Sequence, residues 1–596
     1  MFKKMVGWAK AFYNFYGANF APKLYEIIKS GYKLEHFKRD AASGLTVAII
    51  SLPLALAFAI ASGVAPEKGL YTAIVAGFFV SVLGGSRYQI GGPTGAFVIV
   101  IFNILQQHEY TGLLMAMLIA GVILIIAGFL RLGTYIKYIP YPVVIGFTSG
   151  IAVILFTTQV KDLLGLQIED IPAEFLPKWR AYMTGIGSFT WASIGVSIIC
   201  FATIFFIDFK KLKLPAYLIS LLVSVIIAAI YMVFSVGIDT IGSKFGALPF
   251  FLPKPAIPAF DLELAFKVLP SALTVAFLTG IESLLSATVI DSISGDNHNS
   301  NAELVANGVA TIASAAFSGL PATGAIARTV ANYKAKAYSP VSGIIQSVVL
   351  LLFMLFLSPI IKYIPLAALS VILILIAFNM FGFRKFYVIL QSSRGDRLTL
   401  IVTFLLTMFV DLNAAISIGF MLSSIVFMHR MSMDIEVETD DVDELYKQEY
   451  EQSGADISEK LNEKGVMSIR FSGPLFFGVA SDITSFFRTV KTPKVLILRM
   501  SRVTVIDASG ANALVEFFKR LKNEYNTKII LSHIRQQPQR VLFPILKEEK
   551  LFKDISNASS FENAIALAKK HIREIEKQEE HQAEILEVEK EEFTNK

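Results

Sequence analysis

From residue 42 to residue 430 the chain repeats one pattern, in which apolar runs near or above the roughly 18 residues that cross a bilayer alternate with short polar or basic turns. "LLMAMLIAGVILIIAGFL" and "VSGIIQSVVLLLFMLFLSPIIKYIPLAALSVILILIAF" are two such runs. A water-soluble helix needs a polar stripe, and most of these runs have none, which excludes a large soluble core. The pattern predicts an α-helical polytopic membrane protein with about 12 to 14 crossings.

Two runs are interrupted in nearly the same way. Residues 91–97 read "GGPTGAF" and residues 319–328 read "GLPATGAIAR", each a Thr-Gly-Ala triplet just after a proline and just before an apolar stretch. Proline suits the first turn of a helix and not its middle, so each triplet is predicted to begin a half-helix inside the membrane, with Pro93 and Pro321 as start signals. The alternative is a pair of ordinary kinks, which would not need to share the triplet. First-turn N–H groups have no internal partner, and hydrocarbon offers none. With the helix dipole added, two such N-termini meeting near the midplane form a site for an anion. Paired broken segments in corresponding halves are also the mark of an inverted-repeat transporter.

Charged residues within the runs narrow the chemistry. Arg328 lies about one and a half turns into the second half-helix, where a buried arginine costs at least a few kcal/mol and is usually paired or functional. Its bland alternative is to snorkel to lipid headgroups. The clearest intramembrane acid is Glu282 in "ALTVAFLTGIESLLSATVIDSISG", with Ser283 and Ser286 nearby. It could carry a coupling proton, help hold Na⁺, or act as a fixed partner of Arg328.

After residue 431 the composition changes. Residues 432–465 form a charged linker, and residues 466–572 read as a small α/β domain, with strand-like "VMSIRFSG", "KVLILRM" and "KIILSHI" between helix-like "DITSFFRTV", "GANALVEFFKRLKNEY" and "QRVLFPILKEE". Residues 573–596 are a charged helical or disordered tail, and residues 1–40 a cytoplasmic or interfacial N-terminal segment without a cleavable signal. If the chain crosses fourteen times, Arg87, Arg131, Lys210, Lys334, Arg384, Arg430 and most other loop cations fall on one side, which makes both termini and the α/β domain cytoplasmic, in a cell inner membrane.

Composition agrees with this partition. The chain is 54% hydrophobic and 17% charged, and its mean hydropathy is +0.58. Its net charge of +6 gives no reason to invoke nucleic acid. The single cysteine, Cys200, rules out an internal disulfide and a multi-cysteine metal site. There is no phosphate loop, metalloprotease helix or nucleophile elbow, so no cofactor, metal or enzymatic activity is expected.

The stretch "GLTVAIISLPLALAFAIASGVAPEKGLYTAIVAGFFVSVLGGSRYQIGGPTGAFVIV", then "SNAELVANGVATIASAAFSGLPATGAIARTVANYKAKAYSPVSGIIQ", then "VIDASGANAL" resembles the sulfate permease (SulP) family of anion transporters with a C-terminal STAS domain. The resemblance spans roughly residues 35–570. It implies fourteen segments as two inverted repeats of seven, near 41–236 and 262–431, forming core and gate domains of a homodimer in membrane lipid. It implies an anion site made by Thr94, Gly95, Ala96 and Phe97 with Thr323, Gly324, Ala325, Ile326, Ala327 and Arg328, lined also by a first segment carrying Pro53, Leu54 and Phe58. Glu282, with Ser286, falls where Na⁺-coupled bicarbonate members hold a cation, but Ile326 replaces an expected hydroxyl residue, which favours H⁺ over Na⁺ coupling.

The expected function is secondary active transport of sulfate or a similar small anion, with bicarbonate or a C4-dicarboxylate as alternatives. In the STAS-like part, Asp507 and Ser509 match a loop that is phosphorylated in anti-sigma-factor antagonists; they also suit plain helix capping. A cytoplasmic regulator could act there. An anion channel, a nucleobase carrier on the same repeat and a membrane-anchored signalling module are the competing readings.

Overall fold

The computed structural model describes residues 20–594 except 139, 169–170, 173, 211–214, 247–248, 257–260, 411, 434–435, 441–463 and 480–492. The chain divides into two compact units, Met1–Ser423 and Ser424–Lys596.

The first unit is built of helices. Nine among the described residues are long and apolar enough to cross a membrane, including Leu34–Ala61, Phe97–Phe129, Tyr141–Leu164, Leu262–Ser294 and Val341–Ile361. Between them lie Pro66–Leu83, Ser300–Ala316, Ile326–Lys334 and Arg394–Phe409, which are shorter or more polar. Leu34–Ala61 starts well before residue 41, so its first turns draw in residues assigned above to the N-terminal segment. Most of the interfacial stretch expected before it lies outside the described residues. Phe97–Phe129 is broken at Glu109, whose φ of 56° and ψ of −168° are not helical and fall within the polar sequence "QQHEY".

Packing sorts these helices into two groups. Phe97–Phe129 packs against Leu262–Ser294 and Ser300–Ala316, and Leu34–Ala61 against Pro66–Leu83 and Val341–Ile361. Tyr141–Leu164 packs instead against Leu366–Phe381 and Arg394–Phe409. In lipid there is no hydrophobic drive between helices, so close approach of backbones has to hold them. Gly121 and Gly308 provide it, since a Cβ on either would lie 2.6–2.7 Å from the carbonyl oxygen of the other. A buried polar latch adds to it: the Asp40 carboxylate accepts from Tyr32 Oη at 2.7 Å and from the N–H groups of Tyr338 and Ser339 at 2.6 and 2.9 Å.

The second unit has a five-stranded sheet in the order Glu436–Asp440, Val466–Ser472, Val495–Arg502, Lys528–Ser532 and Ile555–Ala558. The first pair is antiparallel and the others parallel. The three expected strands are present, but the charged linker is not only a linker, because Glu436–Asp440 pairs along the Val466–Ser472 edge. Its alternation, Val437 between Glu436 and Glu438, buries one side and solvates the other. Strand alternation also supplies two cores. Ile469, Phe471, Leu496 and Leu498 pack with Ala508–Tyr525 and Gln536–Glu548, while Val466, Val495, Ile497 and Ile530 pack with Phe561, Ile565 and Ala568. The charged tail is helical, continuing Phe561–Thr594. The helix expected at "DITSFFRTV" lies outside the described residues.

Candidate anion site

The two broken runs meet. Gly91 and Gly92 pair antiparallel with Gly324 and Thr323, and the Ala325 N–H donates to Ile90 O at 2.9 Å. The extended crossing therefore precedes the first triplet, at Gly91–Gly92, and falls within the second, at Thr323–Gly324, while Gly95 and Ala96 form a turn; the helices start at Phe97 and Ile326. This corrects the expectation that Pro93 and Pro321 occupy first turns. An extended crossing needs partners for its backbone groups, and in an apolar surround an unmet one costs several kcal/mol, so the two segments satisfy each other. Because the pairing is antiparallel, the helices that follow run apart in opposite directions.

The two helix starts are not equivalent. In the first, Phe97 N–H bonds Thr94 O and Val98 N–H bonds Gly95 O, both at 3.3 Å, so early donors are spent in a tight turn. In the second, Thr329 N–H bonds Ala325 O, which leaves Ile326, Ala327 and Arg328 as the donors with no residue four positions back in the helix. Ile326 is 42% exposed and Ala327 is exposed, so this end opens to space. Ala96 and Phe97 are fully buried, with Phe97 packed in a hydrophobic cluster.

Arg328 does not snorkel. Its side chain is 1% exposed, and Nη2 donates to Pro93 O on the opposite crossing segment, while Nη1 is buried with no partner among the described residues. Glu282 Oε2 accepts from Thr94 Oγ1 at 2.7 Å, so the carboxylate is tied to the first crossing rather than committed to the arginine. Ser286 Oγ donates to Thr329 Oγ1 at 3.3 Å, and Thr329 Oγ1 also receives the Ile90 N–H at 3.2 Å. Thr323 Oγ1 donates to Thr279 O at 3.0 Å. Thr94, Glu282, Arg328 and the start of Ile326–Lys334 are thereby brought together, with Ser286 one layer behind.

Phe58 lines the same place. A Cβ on Gly95 would lie 3.2 Å from Phe58 Cε1, 3.3 Å from Leu155 Cδ2 and 3.7 Å from Met380 Sδ. Leu155 and Met380 were not anticipated, since one apolar residue among many carries no signal in sequence. Pro53 and Leu54 are buried within Leu34–Ala61. Gln89 and Glu303 were also missed. Gln89 Nε2 donates to Ser283 Oγ at 2.5 Å, and a Cβ on Gly324 would lie 1.8 Å from it. The fully buried Glu303 accepts from Gly85 and Ser86 N–H at 2.8 and 3.1 Å and from Ser283 Oγ at 3.3 Å, which pins the approach to the first crossing. An acid inside "SNAELVANGVA" was the available signal.

Residues 37–403 match the sulfate permease family and residues 459–564 the STAS domain. The chain belongs to the sulfate permease family. Its members are transporters, not enzymes. The chain is 38% identical over 514 residues to the putative sulfate transporter YvdB of Bacillus subtilis, covering 86% of this chain and 94% of that one. It is 28% identical over 538 residues to the bicarbonate transporter BicA of Picosynechococcus, covering 87% and 92%. Its fold matches a solved structure of SLC26A9 with a TM-score of 0.78 at 18% identity, covering 94% of each chain. It is thus a multi-pass membrane protein of an anion-transporting family, with a C-terminal STAS domain.

In that domain Asp507 caps Ala508–Tyr525, its Oδ1 accepting from Gly510 N–H at 2.8 Å and its Oδ2 from Phe477 N–H at 3.0 Å. Ser509 stands exposed in the first turn.

Proposed function

We propose that this protein is a secondary active carrier of sulfate or a similar small anion, working by alternating access and coupled to protons. The observation that carries the reading is the antiparallel crossing of Gly91–Gly92 with Thr323–Gly324, which aims two helix starts, Thr94–Glu282 and Arg328 at one place. In this reading the anion sits against the open donors of Ile326, Ala327 and Arg328, with Thr94 and Gly95 opposite and Phe58, Leu155 and Met380 as the apolar wall. Arg328 supplies the countercharge, and Glu282 releases and regains the coupling proton while bonded to Thr94. Fourteen crossings in two inverted repeats, a homodimer, and termini and STAS domain on the cytoplasmic side complete the arrangement. There Asp507 acts as the cap, and exposed Ser509 is the place where a cytoplasmic regulator would act.

A second reading, Na⁺-coupled bicarbonate transport, draws on the Thr94–Glu282 pair and the likeness to BicA. The exposed, hydroxyl-free side chain of Ile326 weighs against it.

The test is uptake of labelled sulfate into proteoliposomes under an imposed proton or sodium gradient, with bicarbonate, succinate, chloride and oxalate as competitors at two pH values. Saturable, proton-driven sulfate uptake that weakens in Arg328→Ala is expected. Uptake driven by sodium alone and displaced by bicarbonate selects the second reading, and unchanged uptake in Arg328→Ala removes the arginine from the site.

A further inference from the structure

Beside the crossing, three segments of the first unit meet in a knot of polar side chains that the anion site does not use. Glu303 and Asn307 come from Ser300–Ala316, Ser283 from Leu262–Ser294, and Gln89 from the stretch that leads into Gly91. All four are buried, Gln89 the least so at 2% exposed. Asn307 Nδ2 donates to Ser283 Oγ at 2.8 Å and to Glu303 Oε1 at 3.2 Å, while Ser283 Oγ donates to the same Oε1 at 3.3 Å. Gln89 Nε2 joins them through its 2.5 Å bond to Ser283 Oγ.

The knot is short of positive charge and of donors. Every hydrogen bond to the Glu303 carboxylate comes from a neutral group, namely the Gly85 and Ser86 N–H groups, Ser283 and Asn307. His298, the basic side chain whose field reaches it, is bonded instead to Asp291 at 2.6 Å. Among the described residues the carboxylate therefore has no counterion, and a buried charge in that state is costly. Gln89 Oε1 and Asn307 Oδ1 are also buried with no partner among the described residues, and an unmet buried acceptor carries its own desolvation penalty. One small cation answers both needs.

Geometry and charge narrow its kind. Oxygens that share a hard cation at roughly 2.3–2.6 Å stand about 3.3–3.7 Å apart in an octahedral shell. Ser283 Oγ and Glu303 Oε1 are 3.3 Å apart. A half-turn of the Gln89 amide exchanges its N and O and brings Oε1 to Ser283 Oγ, which completes a face of three oxygens. Asn307 meanwhile keeps its bonds to Glu303 Oε1 and, at 2.8 Å, to Glu303 O, so the carboxylate stays aimed. A single carboxylate balances one positive charge. Among the described residues no three of His, Cys, Asp and Glu gather to hold a metal, which disfavours a divalent ion.

We propose that Glu303, Ser283 and Gln89 hold a monovalent cation of the size of Na⁺, at a site separate from Thr94–Glu282. The ion ties Ser300–Ala316 and Leu262–Ser294 to the Gly85–Gln89 stretch, and so braces the entry into the crossing. It is a resident ion, neither substrate nor coupling ion, whichever anion is carried.

The experiment measures equilibrium binding of radiolabelled sodium to the purified full-length protein in detergent, with choline holding ionic strength constant. Melting temperature is followed in parallel in NaCl, KCl and choline chloride. The background is Glu282→Gln, which removes sodium held at Thr94–Glu282, so that a failure of the proton-coupled reading does not imitate this site. Saturable sodium binding is expected in that background, with a higher melting temperature in NaCl than in choline chloride. Adding Ser283→Ala should weaken sodium binding about tenfold to a hundredfold and cancel the sodium-dependent part of the melting temperature, whatever it does to the value in choline. Glu303→Gln should do the same, and if it does not fold, Gln89→Leu takes its place. No saturable binding in Glu282→Gln, or full binding retained on adding Ser283→Ala, overturns the proposal. Equal stabilisation by potassium overturns the assignment to an ion of sodium's size.

Discussion

Gly92→Ala gives the sharpest test of the crossing. Gly92 has φ +149°, a conformation natural only to glycine, and an added Cβ would lie 2.3 Å from Arg328 Nη1 and 3.3 Å from its Cζ. The methyl group must therefore drive the guanidinium off Pro93 O, and the guanidinium, 1% exposed, cannot reach water in exchange. A lost hydrogen bond to a charged group costs about 1.5–3 kcal/mol. The backbone conformation adds roughly 1–3 kcal/mol. Together they remove roughly 3–6 kcal/mol from the crossing, or about two to four orders of magnitude in the population of the intact site. Sulfate uptake in proteoliposomes should fall accordingly, with thermal unfolding in detergent followed in parallel. Gly246→Ala is the control for backbone strain alone, since Gly246 has φ +78° with nothing within 4 Å of an added Cβ. It should cost only the backbone part, about 1–3 kcal/mol of stability, and leave uptake intact. A double-mutant cycle decides the cause: in an Arg328→Ala background, Gly92→Ala should add only the backbone part. Fully additive losses would refute the clash with the guanidinium.

Other outcomes follow from the same geometry. Glu282→Gln keeps a side chain that can bond Thr94 but carries no titrating proton, so anion exchange should persist while dependence on the proton gradient disappears; a retained gradient dependence counts against the role of Glu282. Glu303→Ala leaves the Gly85 and Ser86 N–H groups buried without an acceptor and should lower stability by about 3 kcal/mol or more, read as a drop in melting temperature, whereas Ser509→Ala, at an exposed position, should leave it unchanged. Asp507→Ala removes the cap and the bond to Phe477 and should cost about 1–2 kcal/mol, visible as faster amide exchange at the start of Ala508–Tyr525 in the full-length protein. Asp296 also gives a pH signature. Its burial raises its pKa, but the Asn297 N–H, Lys23 and Arg87 outweigh this and hold it below the usual carboxylate value. A depressed folded-state pKa gives stability that is present above the unfolded value near 3.9 and fades as pH falls through the folded one, so wild type should lose more melting temperature on acidification below about pH 4 than Asp296→Asn.

How much of this was legible in the sequence depended on whether a residue stood out from its surroundings. The shared Thr-Gly-Ala triplets did, and they located the crossing; Arg328 and Glu282 did, as charges in apolar runs. The place where each helix begins did not, because strand pairing between segments so far apart competes with the local preference of Pro93 and Pro321 for a first turn, and a sequence read locally sees only the preference. Leu155 and Met380 are apolar among apolar residues, so only packing around Gly95 selects them. In the second unit charge concealed a strand: "EVETD" reads as linker until the free edge of Val466–Ser472 gives its backbone a partner. The expectation that the second triplet begins a half-helix failed for the same reason, since Thr323–Gly324 is paired as a strand and the Ala325 N–H is taken by Ile90.

The crossing also has a history in time. Thr323 follows Gly92 by about 230 residues, and at a synthesis rate of about 5–20 residues per second the first strand waits on the order of 10–50 s for its mate. During that interval the first broken run has no pairing strand, Pro93 O has no guanidinium and Thr94 has no Glu282. Insertion of this chain must therefore shelter an unfinished segment, by protein, water or a chaperoning insertase, until the second half is made. A lesion such as Gly92→Ala would then be felt first in biogenesis, as poor yield, before any carrier could be assayed.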